Sequence, residues 1–388
     1  MRFLHTGDWH VGKKLRGRSR ADEHRAVLKE IAELARDREV DIVLVAGDLF
    51  DSASPIPESE EIVYGALLEL ARASEWVVVI SGNHDNPRRL AAVEPLMRLT
   101  NIRVLPSLAL PEDGGVIDLQ TKAGDARIAM LPFLSQRLIV KADDLMMRDT
   151  FEHVGTYAER AHRIIQSLCP DNPDNRADQT VDILLAHAMV HGGVLGGGER
   201  QAHTIFEYSI PTSAFPSSLQ YTALGHLHRA QKLPGACPMW YAGSPLQLDF
   251  GETRDDKSVN IVDAEPGAPA TVNCAPLSAG RRLRYVKTTM EKLIEVAAEA
   301  GDDYLRVAID APPTPGLADR VRERLPNAVD VQVSHHGSSQ DDADRAPPVR
   351  IGRSPRGLFH EYLSERGEDD ARLKALFDEL LEEVYAPD

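Results

Sequence analysis

The chain has 388 residues, 43% of them hydrophobic, enough for two or three domains with real cores. Its 60 acidic against 44 basic side chains give a formal charge of −16, which excludes a protein that coats nucleic acid with its whole surface. No apolar run reaches the roughly 18–20 residues of a membrane span, and Cys169, Cys237 and Cys274 are scattered without metal or disulfide spacing. The sequence opens directly on strand-like Met1 to His5 with no leader, so a cytoplasmic location is expected.

From residue 1 to about 265, strand and helix patterns alternate, as in an α/β domain. The first apolar run, at 2–4, leads to Asp8-Trp9-His10. A basic loop follows, with Lys13, Lys14, Arg16, Arg18 and Arg20 and no acid among them. Apolar stripes predict helices over 22–36, 58–72 and 87–99. Between them the run at 42–45 ends on Gly47-Asp48, and that at 77–80 on Gly82-Asn83-His84-Asp85. Further along, the run at 183–186 leads to His187, and that at 221–224 to Gly225-His226-Leu227-His228.

Residues 264–269 form a turn-rich break. Beyond it, 283–289, 304–309 and 329–334 read as strands, with helices at 290–300 and 316–325, a small α+β unit. A polar linker then runs through Pro347-Pro348. Ser354-Pro355 fits a helix start, with Leu358, Phe359, Tyr362 and Leu363 behind it. Leu373, Leu376, Phe377, Leu380, Leu381 and Val384 mark a second helix whose apolar face suits a groove on another protein. The expected division is a catalytic domain at 1–265, a small domain at 280–336, a linker at 337–353 and a partner-binding helical segment at 354–386.

Five strand-like runs thus end on residues that favour metals, and a rigid strand can carry ligands into a cleft at its end. Asp8 and His10 are two apart, so in an extended segment they share one side. Asp48 can bridge two cations, Asn83 offers a neutral oxygen, and His187, His226 and His228 offer imidazole nitrogens. Such mixed donors suit Mn²⁺, Fe²⁺ or Zn²⁺ better than Ca²⁺ or Mg²⁺. Paired ions about 3.5–4 Å apart clamp a phosphodiester and activate water. The set therefore predicts a phosphoester-cleaving site with two divalent ions, Mn²⁺ being the expected metal.

These residues resemble the calcineurin-like metallophosphoesterases. Asp8-Trp9-His10-Val11-Gly12-Lys13, Gly47-Asp48-Leu49-Phe50-Asp51, Gly225-His226-Leu227-His228-Arg229-Ala230-Gln231 and Tyr241-Ala242-Gly243-Ser244-Pro245 are similar to the SbcD-type nuclease subunits within that family. Asp51, where archaeal and eukaryotic relatives usually carry histidine, fits the bacterial branch. The resemblance spans nearly the whole chain. It implies a four-layer α/β/β/α sandwich with a small cap domain and C-terminal helices.

It also implies how the ligands divide. Asp8, His10 and His228 would hold one ion, Asn83, His187 and His226 the other, and Asp48 would bridge. His84 would stabilise the transition state or protonate the leaving oxygen, and Asp85 would orient its ring. The implied activity is exonucleolytic on DNA duplex ends and endonucleolytic on hairpins and single strands. An SbcC-like SMC-type ATPase would regulate it, gripped by the tail helices.

Lys13, Lys14, Arg16 and Arg18 are expected to touch the DNA backbone. The helices at 58–72 and 87–99 correspond to the family's dimer-forming pair and imply a homodimer. A phosphatase or cyclic-nucleotide phosphodiesterase would share the metal motifs but needs neither cap nor tail. An inactive scaffold would tolerate lost ligands, and here every ligand position is filled.

Overall fold

The computed structural model describes residues 1–146, 156–170, 179–199, 208–333, 359, 363 and 370–384. The chain begins with β1 (Arg2–Thr6), a short hairpin of β2 (Lys14–Leu15) and β3 (Arg18–Ser19), and α1 (Ala21–Asp37). It continues through β4 (Ile42–Val45), α2 (Pro57–Ala73), β5 (Trp76–Ile80), α3 (Pro87–Met97) and β6 (Ile102–Leu105). Next come β7 (Val116–Thr121), β8 (Gly124–Leu131), α4 (Gln136–Met146), α5 (Tyr157–Leu168), β9 (Thr180–His187) and β10 (Tyr221–Gly225). The short β11 (Gln231–Leu233) and β12 (Met239–Tyr241) precede the long hairpin of β13 (Ser258–Glu265) and β14 (Ala268–Pro276).

Two six-stranded sheets result, ordered β14-β13-β1-β4-β5-β6 and β11-β12-β10-β9-β8-β7. In the first, β1, β4, β5 and β6 are parallel. In the second, β8, β9, β10 and β12 are parallel. Alternation along the strands sorts side chains between two faces. Phe3, Ile42, Leu44, Val78 and Ile80 meet Ile128, Ile183, Leu185 and Ala223 in a core between the sheets. Leu4, Val43, Val45, Val77 and Val79 face outward onto α1, α2 and α3, while Leu131, Leu184, Ala186 and Leu224 pack with α4 and α5. The architecture is the expected four-layer sandwich, with the ends of β1, β4, β5, β9 and β10 at a common edge.

Local chemistry explains the boundaries. Runs of Val and Ile favour extended backbone in β4 and β5. Asn86 accepts from the Arg88 and Arg89 N–H groups, and Pro87 opens α3. Thr156 and Glu159 form a reciprocal capping box at the start of α5. The turn-rich stretch near 264–269 proves to be the turn of the β13–β14 hairpin, so the first sheet extends to Pro276. Its glycine and prolines signal a reversal of the chain, which a hairpin and a domain break share.

The small unit alternates β15 (Leu283–Thr288), α6 (Leu293–Ala300), β16 (Tyr304–Ile309), α7 (Leu317–Arg324) and β17 (Ala328–Val333), with all three strands parallel. It has its own core of Leu293, Leu305, Val307, Ile309, Val321 and Ala328. A second cluster, Leu15, Phe250, Leu283, Tyr304 and Val329, joins it to the larger domain. The predicted linker at 337–353 lies outside the described residues. Of the tail, α8 (Ala371–Val384) is a helix with Leu373 and Leu376 exposed, and Phe359 stacks on Phe377.

Candidate metal centre

Each loop leaving the common edge is pinned to its neighbours before any side chain is considered. Asp8 N–H donates to Gly47 O at 2.9 Å, and His10 N–H to Asp48 O at 3.0 Å. Gly225 approaches so closely that a Cβ there would stand 1.9 Å from Ala46 O. At Gly82 a Cβ would stand 2.1 Å from the Asp48 carboxylate, so both positions admit only glycine. Asp8, His10, Asp48 and His226 all have positive φ, at 50°, 48°, 51° and 109°. Non-glycine residues rarely hold that conformation, and such strain concentrates where function demands a fixed geometry.

The strain aims the side chains at one point. Asp8, His10, Asp48, His84, His187, His226 and His228 are all buried, and Asn83 is half-buried. Nε2 of His10 lies 3.1 Å from Nε2 of His228 and 3.5 Å from the Asp48 carboxylate. Nε2 of His187 stands 3.6 Å from the same carboxylate oxygen. The Asn83 side-chain oxygen lies 2.9 Å from that nitrogen and 2.8 Å from Nδ1 of His226. One group brings His10, Asp48 and His84 together, another Asp8, Asp48 and His187, with Asp48 common to both.

Backbone contacts complete the arrangement. The His226 N–H donates to the Asp8 carboxylate at 2.9 Å, and the His84 N–H to Asp48 Oδ1 at 2.8 Å. His187 Nδ1 donates to Ala46 O at 2.7 Å, leaving Nε2 as the lone-pair atom that faces inward. Phe133 stacks over His226 with rings 6.0 Å apart and 20° from parallel.

Burial lowers His10 and His187, so those imidazoles are held neutral with lone pairs to offer. Burial raises the Asp8 carboxyl well above the usual range, and the neighbouring Asp48 adds to that. Burial pushes Asp48 the same way, yet the imidazoles of His187, His10 and His84 outweigh it and hold the group low. Burial alone would lower His228, but Glu252, Glu199 and Asp8 raise it to about 9. Two imidazole nitrogens 3.1 Å apart need a proton or a cation between them, and hard oxygens complete the donor set. The residues fit divalent metal.

Residues 1–230 match the calcineurin-like phosphoesterase family. The SbcD subunit of the SbcCD nuclease of Bacillus subtilis is 35% identical over 296 residues, 73% of this chain and 71% of that one. The SbcD subunit from Rhodobacter capsulatus is 32% identical over 385 residues, 92% and 93% of the two chains. The chain belongs to the SbcD-type calcineurin-like phosphoesterases. A dimetal phosphatase from Danio rerio superposes at a TM-score of 0.41 with 10% identity, covering 72% of this chain and 99% of that one. An SbcD-type phosphoesterase is a metal-dependent hydrolase, and divalent metal binding belongs to the family. Among the described residues no helix is long and apolar enough to cross a membrane.

One expected contact is redirected. Asp85 does not orient His84. Its carboxylate accepts from the backbone N–H groups of Gly82 (2.8 Å), Phe50 (3.0 Å) and Leu49 (3.3 Å), tying two ligand loops together. Burial and the charge of Asp48 raise it to about 7. The His84 ring is held instead at Nδ1 by Asp51 O, 2.9 Å away. Adjacency to His84 in sequence implied a contact that the turn geometry redirects.

The basic loop is the β2–β3 hairpin, which leans on the small unit while Lys14, Arg16 and Arg18 stay exposed. Arg16 pairs with Asp330 at 3.5 Å, and Arg18 donates to Pro326 O at 2.5 Å. Arg20 is fully buried against Glu23 and Gln247. Lys13 pairs with Asp51 at 3.3 Å, while Lys14 is exposed. Sequence reasoning passed over Asp51 as a ring anchor, and also Glu252, Glu199 and Phe133, which lie outside the strand-end motifs.

Proposed function

We propose that this SbcD-type phosphoesterase is a two-metal DNA nuclease subunit, exonucleolytic on duplex ends and endonucleolytic on hairpins and single strands. An SbcC-like ATPase would control its access to DNA. The observation that carries the reading is Asp48, common to the groups His10–Asp48–His84 and Asp8–Asp48–His187, with its Oδ2 3.5 Å from His10 Nε2 and 3.6 Å from His187 Nε2. Asp8, His10 and His228 would hold one ion, Asn83, His187 and His226 the other, and Asp48 both. Mn²⁺ suits this mixture of imidazole and hard oxygen donors. When bound, paired ions supply Lewis acidity and lower the pKa of water.

The chain's own residues do the rest. His84 Nδ1 donates to Asp51 O, so Nε2 is the atom that would carry a proton to the leaving oxygen. Its ring lies 4.6 Å from that of His10, against the metal side of the cleft. Asp48 accepts the His84 N–H, which fixes the proton carrier and the bridging carboxylate relative to one another. Asp85 keeps the Leu49–Phe50 and Gly82 backbones in register beneath them.

The remaining surfaces support assembly. Ile56, Leu96 and Leu99 are exposed beside α2 and α3, where a second copy would dock. Residues 280–336 would cap the site, and the segment at 354–386, including exposed Leu373 and Leu376, would bind the ATPase. The test is digestion of end-labelled duplex and hairpin DNA with Mn²⁺, with and without the ATPase, beside a chromogenic phosphodiester. Cleavage of DNA that the ATPase stimulates is expected. Turnover of the small phosphodiester alone would replace the nuclease by a small-molecule phosphodiesterase.

A further inference from the structure

The ring of His228 is gripped from the side opposite His10. Its Nδ1 lies 3.0 Å from Oε1 of Glu252, a carboxylate with no exposed surface. Oε2 of Glu252 accepts from Lys257 Nζ at 2.7 Å, from Leu248 N–H at 3.1 Å and from Ser244 Oγ at 3.4 Å. Lys257 Nζ donates in turn to the His228 carbonyl oxygen at 3.0 Å and to Ser244 Oγ at 2.8 Å. One carboxylate–ammonium pair therefore fixes both the ring and the backbone of the same residue. Gly198 closes over it, since a Cβ there would stand 2.1 Å from Glu252 Oε1 and 2.9 Å from His228 Nδ1.

The His10 ring has the Asp51 carboxylate 3.7 Å from Nδ1, longer than the 3.0 Å contact behind His228, and two other rings are held by neutral groups. His187 and His84 rest their Nδ1 atoms on backbone carbonyl oxygens of Ala46 and Asp51. A carboxylate behind a ligating imidazole fixes its tautomer and raises its basicity further than a neutral carbonyl does. Burying two charges merely to fill space is a poor source of stability, because apolar residues of similar volume serve as well or better.

We infer that Glu252, braced by Lys257, is a positioning residue for His228. It holds Nδ1–H so that the Nε2 lone pair points at the ion shared with Asp8 and His10, strengthening that metal position and not the Asn83 position. The inference rests on the two-metal reading. Manganese alone, titrated into the full-length chain by calorimetry with free Mn²⁺ counted by electron paramagnetic resonance, tests it. The wild type should bind two ions.

The variant E252L with K257M removes the pair without stranding a charge. It should melt normally when metal-free, yet bind one of its two ions about 10–100-fold more weakly. E252Q, which keeps only a weaker neutral acceptor, should show a smaller loss confined to that same ion. Wild-type binding of both ions by the folded double variant, or equal weakening of both, would overturn the inference. If the double variant does not fold, E252Q decides, a selective loss at one position supporting the role and unchanged binding of both ions overturning it. A wild type that never binds two ions would instead undo the two-metal reading itself.

Discussion

Two loops follow β1 within a dozen residues and use polar side chains in opposite ways. The ligand loop, Asp8 to His10, is buried, held at positive φ, and aimed at donors from four other strand ends. The hairpin at 14–19 is exposed except at Leu15, turns through Arg16 at φ 49° and Gly17 at φ 87°, and rests its arginines on the small unit through Asp330 and Pro326. By residue type alone the hairpin is the better candidate for touching a polyanion. Positive φ occurs in both loops, so the convergence of buried donors from several strand ends, and not backbone strain alone, sets the ligand loop apart.

The sharpest break in that comparison comes from the shared carboxylate. D48A should abolish manganese binding and cut hydrolysis on the order of 10³-fold or more, since several kcal/mol of charge stabilisation vanish. Elemental analysis beside a nuclease assay checks it, and retained metal would contradict it. H84A should keep both ions and slow cleavage about 10²–10⁴-fold, the range for a lost general acid. Loss of metal together with activity would recast His84 as a ligand.

Acid sensitivity separates buried histidines from the site. Burial lowers His5 to about 3 and His24 to about 4, against about 6.5 for a free imidazole. Both are neutral when folded and take up protons when unfolded. Stability is therefore full above about pH 6.5 and is lost as pH falls toward 4, by about 1.4 kcal/mol per unit and group. In urea melts with chelator present, H5Q should show a slope shallower by roughly one proton. An identical slope would mean that His5 is not held neutral.

The smallest effects belong to the hairpin. R16A and R18A should loosen the small unit by up to about 1 kcal/mol, the usual worth of exposed pairs. Limited proteolysis near residue 280 would report it. Neither should change the salt slope of DNA binding, which K14A alone should lower slightly. A large change in slope for R16A would restore the loop as a nucleic-acid contact.

Much of this was legible beforehand. Strands with Val and Ile runs, and helices with clear apolar stripes such as 58–72, fall within a residue or two of their observed bounds. The strand-end motifs placed Asp8, His10, Asp48, Asn83, His187, His226 and His228 in one cluster because parallel strands share an edge. The elements between 102 and 180 gave weaker patterns, although the Thr156–Glu159 capping box was a readable start for α5. Contacts that depend on turn geometry were not legible. Asp85 turns to backbone N–H groups, and Glu252 reaches His228 from a turn 24 residues later in the chain.

Crystals grown with Mn²⁺ and measured at the manganese absorption edge would reveal the metal pair itself. Two anomalous peaks about 3.5–4 Å apart, with the Asp48 carboxylate between them and imidazoles on both sides, are predicted. A single peak, or ions that leave Asp48 untouched, would contradict it.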